Sequence, residues 1–264
     1  MSWSAKQYVA FEEERTRPAR DLLAAVPPGA VGFAIDIGCG PGNSTELIAA
    51  RFPNARITGI DSSKDMVEAA RLRLPALRFE VADIRAWACD PSDDPGENSG
   101  PADLIFANAV LQWVPGHAEL FPALATRLST GGCLAVQVPD NLDEPAHTLM
   151  REIAEEGPWR QKLAGADRSR VRIEPAAWYY RLLRASCSRV DVWRTTYHHP
   201  LAGAGAIVEW FKGTGLLPFL APLDAAERAG YLDRYTRAIE TAYPAVDGVV
   251  LLPFPRLFVV ANRR

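Results

Sequence analysis

From residue 33 to residue 138 short apolar runs alternate with amphipathic stretches. The runs are Phe-Ala-Ile-Asp-Ile from 33, Ala-Arg-Ile-Thr-Gly-Ile-Asp ending at 61, Arg-Phe-Glu-Val-Ala-Asp-Ile ending at 84, Ala-Asp-Leu-Ile-Phe-Ala-Asn-Ala ending at 109, and Cys-Leu-Ala-Val-Gln-Val after Gly131 and Gly132. Ile, Val and Phe in runs this short predict strands, and the stretches between them helices. A repeated strand-helix-strand order implies parallel strands joined by right-handed crossovers, so the fold class is α/β with a doubly wound, mostly parallel sheet. Before residue 33, Pro18 suits the first turn of a helix capped near Thr16 and ending before Pro27. Arg15 and Arg17 then precede that helix, and Trp3, Tyr8 and Phe11 form an aromatic stripe suited to packing.

Beyond Pro139 the alternation stops. Helices are expected over 143–163, with a Gly-Pro-Trp break, and over 175–185, 204–212 and 224–242, with strands over 188–197 and 256–262. The last two strands should pair antiparallel at the sheet edge. Segments 139–172 and 201–252 fall outside the pattern and are expected to form a helical cap over the strand ends, where substrate would be selected. The division is therefore an N-terminal segment (1–32), an α/β core (33–138), and a third part (139–264) carrying the remaining strands and the cap. Asp90–Pro101, rich in Asp, Pro, Ser and Gly, reads as a surface loop.

Composition narrows the function classes. The 264 residues are 48% hydrophobic and 23% charged, which suits one enlarged domain with an ample core. A net charge of −3, with no basic run, argues against a nucleic-acid surface. Cys39, Cys89, Cys133 and Cys187 stand far apart without a C-x-x-C pair, so neither a zinc site nor a disulfide framework is signalled. Reduced thiols, no apolar run of membrane-spanning length and charged residues where a secretory core would lie point to a cytoplasmic protein with no membrane partner.

The chemistry begins at Phe33–Thr45, where an apolar run is followed by an acid and the sequence Gly38-Cys-Gly40-Pro-Gly42-Asn-Ser-Thr. Alternating glycines permit positive φ and close approach of backbone to a ligand at a helix N-terminus. Neither frame completes G-x-G-x-x-G, because Asn43 and Thr45 stand where the last glycine belongs, and Asn43 replaces the lysine of a phosphate loop. Asp36 at the strand end would repel a pyrophosphate and attract an ammonium, so the expected ligand carries a cation. Asp61 ends the second strand and Asp83 the third. Any one of these acids alone suits a helix N-cap or a solvated loop, whereas their joint placement suits an adenosyl ligand with a ribose diol and an adenine amino group. Asn108, Gln112, Trp113, Gln137 and Asp140 fall near the carboxyl ends of strands four and five, where open sheets bind ligands.

These residues resemble the class I S-adenosylmethionine-dependent methyltransferases. The resemblance implies S-adenosylmethionine as cofactor and S-adenosylhomocysteine as product, with Asp36, Gly38, Gly40, Asp61, Ser62, Met66, Asp83, Ile84 and Asn108 around it. Methyl transfer from a sulfonium is an in-line displacement that requires alignment and exclusion of water. An anionic acceptor such as a carboxylate needs no general base, and none is assigned. No nucleophile elbow and no H-E-x-x-H is present. A carboxylate substrate needs donors, and the second half offers His147, Trp159, Arg160, Tyr179, Tyr180, Tyr197, His198, His199, Lys212 and Arg256. Arg17, Gln112, Tyr197, His198, Lys212 and Arg256 are the chosen substrate-binding set. Asp140, Asp143 and Glu144 form the one grouping that suggests a divalent metal, and Asp140 serves as readily as a helix N-cap, so no metal is expected.

A narrower resemblance rests on Phe-Glu-Glu-Glu-Arg-Thr-Arg-Pro-Ala-Arg from 11, Asn-Ala-Val-Leu-Gln-Trp-Val from 108, Gln-Val-Pro-Asp-Asn-Leu-Asp-Glu-Pro from 137, Thr-Thr-Tyr-His-His from 195, Glu-Trp-Phe-Lys-Gly-Thr-Gly-Leu from 209 and Leu-Pro-Phe-Pro-Arg-Leu-Phe from 252. These segments are similar to the bacterial trans-aconitate 2-methyltransferases, a likeness that implies monomethyl esterification of a small tricarboxylate. The rival readings are a methyltransferase of another small acid or a phenol, a non-catalytic S-adenosylmethionine-binding protein and, more remotely, a nicotinamide oxidoreductase.

Overall fold

Strand β1 (Phe33–Ile37) is buried along its whole length, as a central strand covered by helices on both faces must be. Its neighbours are β2 (Arg56–Asp61) and β4 (Ala102–Asn108), both parallel to it. Strand β3 (Arg78–Val81) pairs parallel with β2, and β5 (Leu128–Pro139) with β4. With β6 (Cys187–Leu201) and β7 (Val250–Arg263) the seven-stranded sheet has the order β3-β2-β1-β4-β5-β7-β6. Strand β7 runs against both neighbours. Arg264 N–H donates to the Ser186 carbonyl, and Trp193 stacks on Phe258 at 4.8 Å. On the other side Asn262 Nδ2 donates to the Gly131 carbonyl and Asp140 N–H to that of Pro255. In both series one residue number rises as the other falls. The expected mostly parallel α/β sheet with an antiparallel strand at its edge region is what the protein forms.

This computed structural model describes residues 12–89 and 100–264. Trp3, Tyr8 and Phe11, and nearly all of the loop expected at Asp90–Pro101, lie outside the described residues, as does the side chain of Arg15. The chain divides into two units. The described residues of the first fall within Met1–Val138, Ile173–Arg194 and Leu257–Arg264, and the second holds Pro139–Arg172 and Thr195–Arg256. The first contains the main core, in which Ile35, Ile37, Trp87, Ile105, Phe121, Leu134 and Val259 are all buried.

The first helix corrects the sequence reading. It spans Glu12–Ala25 with Pro18 in its interior, so Thr16 is a helical residue and Arg17 lies within the helix. An interior proline disfavours a helix by about 3 kcal/mol. The reason this one persists is tertiary: Pro18, Ala19, Leu22 and Leu23 are buried, and the helix packs on helix Asn43–Arg51. Arg51 Nη2 also donates to the Val26 carbonyl just beyond its C-terminus.

The second unit is helical apart from its strand segments. Helix Pro145–Glu156 is joined to helix Ala225–Ala242 by Tyr231 and Tyr235, whose hydroxyls donate to the carbonyls of Met150 and Ala146, each at 2.8 Å. Asp224 and Glu227 close a reciprocal capping box on the longer helix. Trp159 donates to the Ile153 carbonyl and meets Tyr231 edge-on at 5.4 Å, which assigns it to packing. Helix Gly203–Lys212 completes this layer. Strands β6 and β7 extend beyond the expected 188–197 and 256–262, and the extra length puts His198, His199 and Phe254 on strands.

Candidate active site

The glycine loop is built by strand-end hydrogen bonds and by conformations that only glycine takes easily. Gly38 and Cys39 both donate N–H to the Ile60 carbonyl, at 2.7 and 3.0 Å, which ties the end of β1 to the end of β2. Gly38 has φ +69°, and a Cβ there would lie 2.3 Å from the Val110 side chain. Gly40, at φ +53°, faces open space and donates its N–H to Asp61 Oδ2 at 3.0 Å. Asp61 Oδ1 accepts from Ser63 N–H at 2.9 Å. Burial raises the Asp61 carboxyl above its usual range, and the two amides oppose that rise. A carboxylate offers about four lone-pair sites, so about two stay available to a ligand.

Asp36 is not exposed at the strand end as expected. It is wholly buried; Oδ2 accepts from Ser44 Oγ at 2.7 Å and Thr45 Oγ1 at 2.6 Å, while Oδ1 is buried without a hydrogen-bond partner among the described residues. The cause is the cover on β1: the first turn of helix Asn43–Arg51 folds two hydroxyls back over the acid. Burial pushes this carboxyl up to about 7, against the lowering by Thr45 and Ser44. Asp36 therefore ties the end of β1 to the first turn of helix Asn43–Arg51.

A pocket beside the loop is lined by Thr16, Gly38, Pro41, Asn43, Ser44 and Asn108. Thr16 Oγ1 and Asn108 Oδ1 are buried there, with no hydrogen-bond partner among the described residues. Buried polar atoms are nearly always satisfied, so these oxygens fit a ligand that brings polar hydrogens or charge, as the amino-acid end of S-adenosylmethionine does. After Asn108 the backbone is strained: Ala109 has φ +55°. Gln112 Nε2 donates to the Ala109 carbonyl at 2.6 Å, and the Gln137 carbonyl accepts the Ala109 N–H. Gln112 thus holds the turn with its amide nitrogen, while its buried Oε1 has no hydrogen-bond partner among the described residues.

Of the other expected cofactor residues, Asp83 is exposed and caps helix Ile84–Cys89 by accepting the Ala86 N–H at 2.9 Å, leaving its second oxygen outward. Ser62 is exposed beside Asp61, and Met66 and Ile84 are buried. No group of three or more His, Cys, Asp or Glu residues able to hold a metal occurs among the described residues.

The expected substrate residues separate. Arg17 is exposed on its helix. His198 is exposed and Lys212 pairs with Glu209 one turn back, so neither lies within the buried groups of the second unit. Tyr197 and Arg256 are buried together, with the guanidinium 5.9 Å from the tyrosine ring centroid and 4.6 Å from that of Phe254. His199, rather than His198, shares this cluster, stacked 4.9 Å from Trp210 and 6.3 Å from Tyr197. Successive strand side chains point to opposite faces, which decides between the two histidines.

A methyltransferase-domain model matches residues 35–134. The chain is 54% identical to the trans-aconitate 2-methyltransferase of Paracidovorax citrulli, over 99% of this chain and 98% of that protein. It is 56% identical to the protein of the same name from Rhizobium meliloti, over 100% and 99%. The chain belongs to the trans-aconitate 2-methyltransferase family. Among solved structures, the YcgJ protein of Bacillus subtilis superposes with a TM-score of 0.59 at 14% identity, covering 94% of this chain and 98% of that one, which speaks for the shared fold alone.

Within this member of the trans-aconitate 2-methyltransferase family the sequence reading passed over Thr16, taken as a cap, and Arg170. Arg170 donates from Nη1 to His147 Nε2 at 3.2 Å and from Nη2 to Asn141 Oδ1 at 3.1 Å and the Pro139 carbonyl at 3.3 Å. Burial, with Arg170 and Arg151 nearby, drives the His147 pKa well down, so its Nε2 accepts as neutral imidazole. No sequence signal marks Arg170, which stands in a mixed run with Arg168 and Arg172.

Proposed function

We propose that this protein transfers a methyl group from S-adenosylmethionine to one carboxylate of trans-aconitate, giving a monomethyl ester. The observation that carries the reading is the full-length relationship to trans-aconitate 2-methyltransferases, which spans the second unit as well as the glycine loop. When bound, S-adenosylmethionine supplies a methyl on a sulfonium, whose S–C bond electrons return to sulfur as the carboxylate oxygen forms the new bond. The chain's own part is positional and electrostatic. Asp61 presents lone pairs for the ribose diol, Asp83 its outward oxygen for the adenine amino group, and the pocket at Thr16 and Asn108 receives the amino-acid end. Arg256, buried among aromatic rings, attracts a carboxylate more strongly than it would in water. No residue is required to remove a proton, because the acceptor is already anionic. Free cysteines support a cytoplasmic setting, and no helix among the described residues is long and apolar enough to cross a membrane.

The test is methyl transfer from labelled S-adenosylmethionine to trans-aconitate, cis-aconitate, citrate and a set of phenols. Turnover should be greatest with trans-aconitate and absent with phenols. Transfer to no polycarboxylate would refute the proposal, and cofactor binding without transfer to any acid would favour a binding protein.

A further inference from the structure

Thr16 is 8% exposed and lies inside a helix, with no hydrogen-bond partner for its hydroxyl among the described residues. An isolated buried hydroxyl is disfavoured. Across the same pocket stand Asn43 and Ser44, the first two residues of helix Asn43–Arg51. That helix has Gly42 as its N-cap and therefore no capping side chain. Glu46 is the first residue of the turn whose N–H bonds back within it, to the Gly42 carbonyl. The first amides of a helix carry the positive end of its dipole and receive anions well. A buried hydroxyl donor and a helix N-terminus lining one pocket form a combination suited to a carboxylate.

We propose that Thr16 is a cofactor-binding residue: its hydroxyl donates to the α-carboxylate of the amino-acid end of S-adenosylmethionine, held against the N-terminus of helix Asn43–Arg51. The acceptor Asn108 Oδ1, in the same pocket, takes the ammonium of that end. The first helix thereby contributes through Thr16, while Arg17 on the next position faces out. This assignment rests on the reading of the glycine loop as the cofactor site, and the experiment separates the two.

Titration calorimetry would compare the wild type with Thr16→Val, which keeps shape and removes the hydroxyl, and Thr16→Ser, which keeps the hydroxyl. Two ligands are used: S-adenosylhomocysteine, and 5′-methylthioadenosine, which lacks the amino-acid end. T16V should weaken S-adenosylhomocysteine by about tenfold or more, as expected for a hydrogen bond to a charged group, with 5′-methylthioadenosine unchanged and T16S near wild type. Equal losses for both ligands, or no loss for either, would overturn the role of Thr16 while leaving the cofactor site standing. A wild type that binds neither ligand would remove the cofactor reading itself, and the proposal with it.

Discussion

Replacing Asp61 by alanine probes the strand-end acid at which ribose recognition is proposed. In the structure its two oxygens each accept one backbone N–H, from Gly40 at 3.0 Å and Ser63 at 2.9 Å. About two lone-pair sites remain, matching the two hydroxyls of a ribose. A hydrogen bond to a charged group contributes about 1.5–3 kcal/mol, so losing this acceptor should raise the Kd for S-adenosylhomocysteine by roughly 10- to 150-fold. Stability is a separate effect. The Gly40 and Ser63 amides lose their acceptor at a partly exposed position where water can replace it, so Tm should fall only a few degrees, at about 2–4 °C per kcal/mol for a chain of this size. Asp61→Asn should recover little affinity, because one oxygen becomes an NH2 turned toward a backbone donor. Calorimetric titration below the Tm of each variant measures the binding term. A Kd within threefold of wild type for both variants would refute the ribose placement.

Asp36 gives a pH signature. Its folded pKa of about 7 lies above the reference 3.8, so between these values the folded state binds more protons, and stability falls as pH rises through that window. The wild type should lose Tm relative to Asp36→Asn between pH 5 and 8, and parallel Tm curves would contradict the assignment. Gly38→Ala should damage the fold most, since its Cβ meets Val110 at 2.3 Å at a positive φ, whereas Gly40→Ala, strained only by its φ of +53° with open space at the Cβ, should lower Tm less than Gly38→Ala does and should also weaken cofactor binding; thermal melts and titration of the two variants are the check. Arg256→Lys should raise KM for the acid at least about tenfold while leaving the Kd for S-adenosylhomocysteine alone, and His198→Ala and Lys212→Ala should change KM less than twofold; initial-rate kinetics distinguishes them.

The parts of the site that could be read from sequence are those fixed locally. Gly38, Gly40 and Gly42 do adopt positive φ, and Asp61 does close a strand, because strand ends and tight turns are written in adjacent residues. What was not legible depends on the third dimension. Asp36 sits one residue before the end of β1, and no local signal says that helix Asn43–Arg51 will lay Ser44 and Thr45 over it. His198 and His199 are indistinguishable as letters, and the pleat of β6 turns only the second inward. Lys212 looked available until the helix paired it with Glu209 three residues back. Pro18 signals a helix start, yet burial of Ala19, Leu22 and Leu23 outweighs that preference and carries Thr16 into the pocket wall. The fold followed from periodicity; the choice between neighbouring side chains followed from packing.

In the proposed complex an adenosyl cofactor lies across the ends of β1, β2 and β3, with its amino-acid end in the Thr16 and Asn108 pocket. Diffraction from crystals grown with S-adenosylhomocysteine and trans-aconitate tests this placement most directly. The ribose hydroxyls should lie within hydrogen-bond distance of Asp61, with a carboxylate of the acid directed toward the sulfur. Nucleoside density away from Asp61 and the glycine loop would contradict the account.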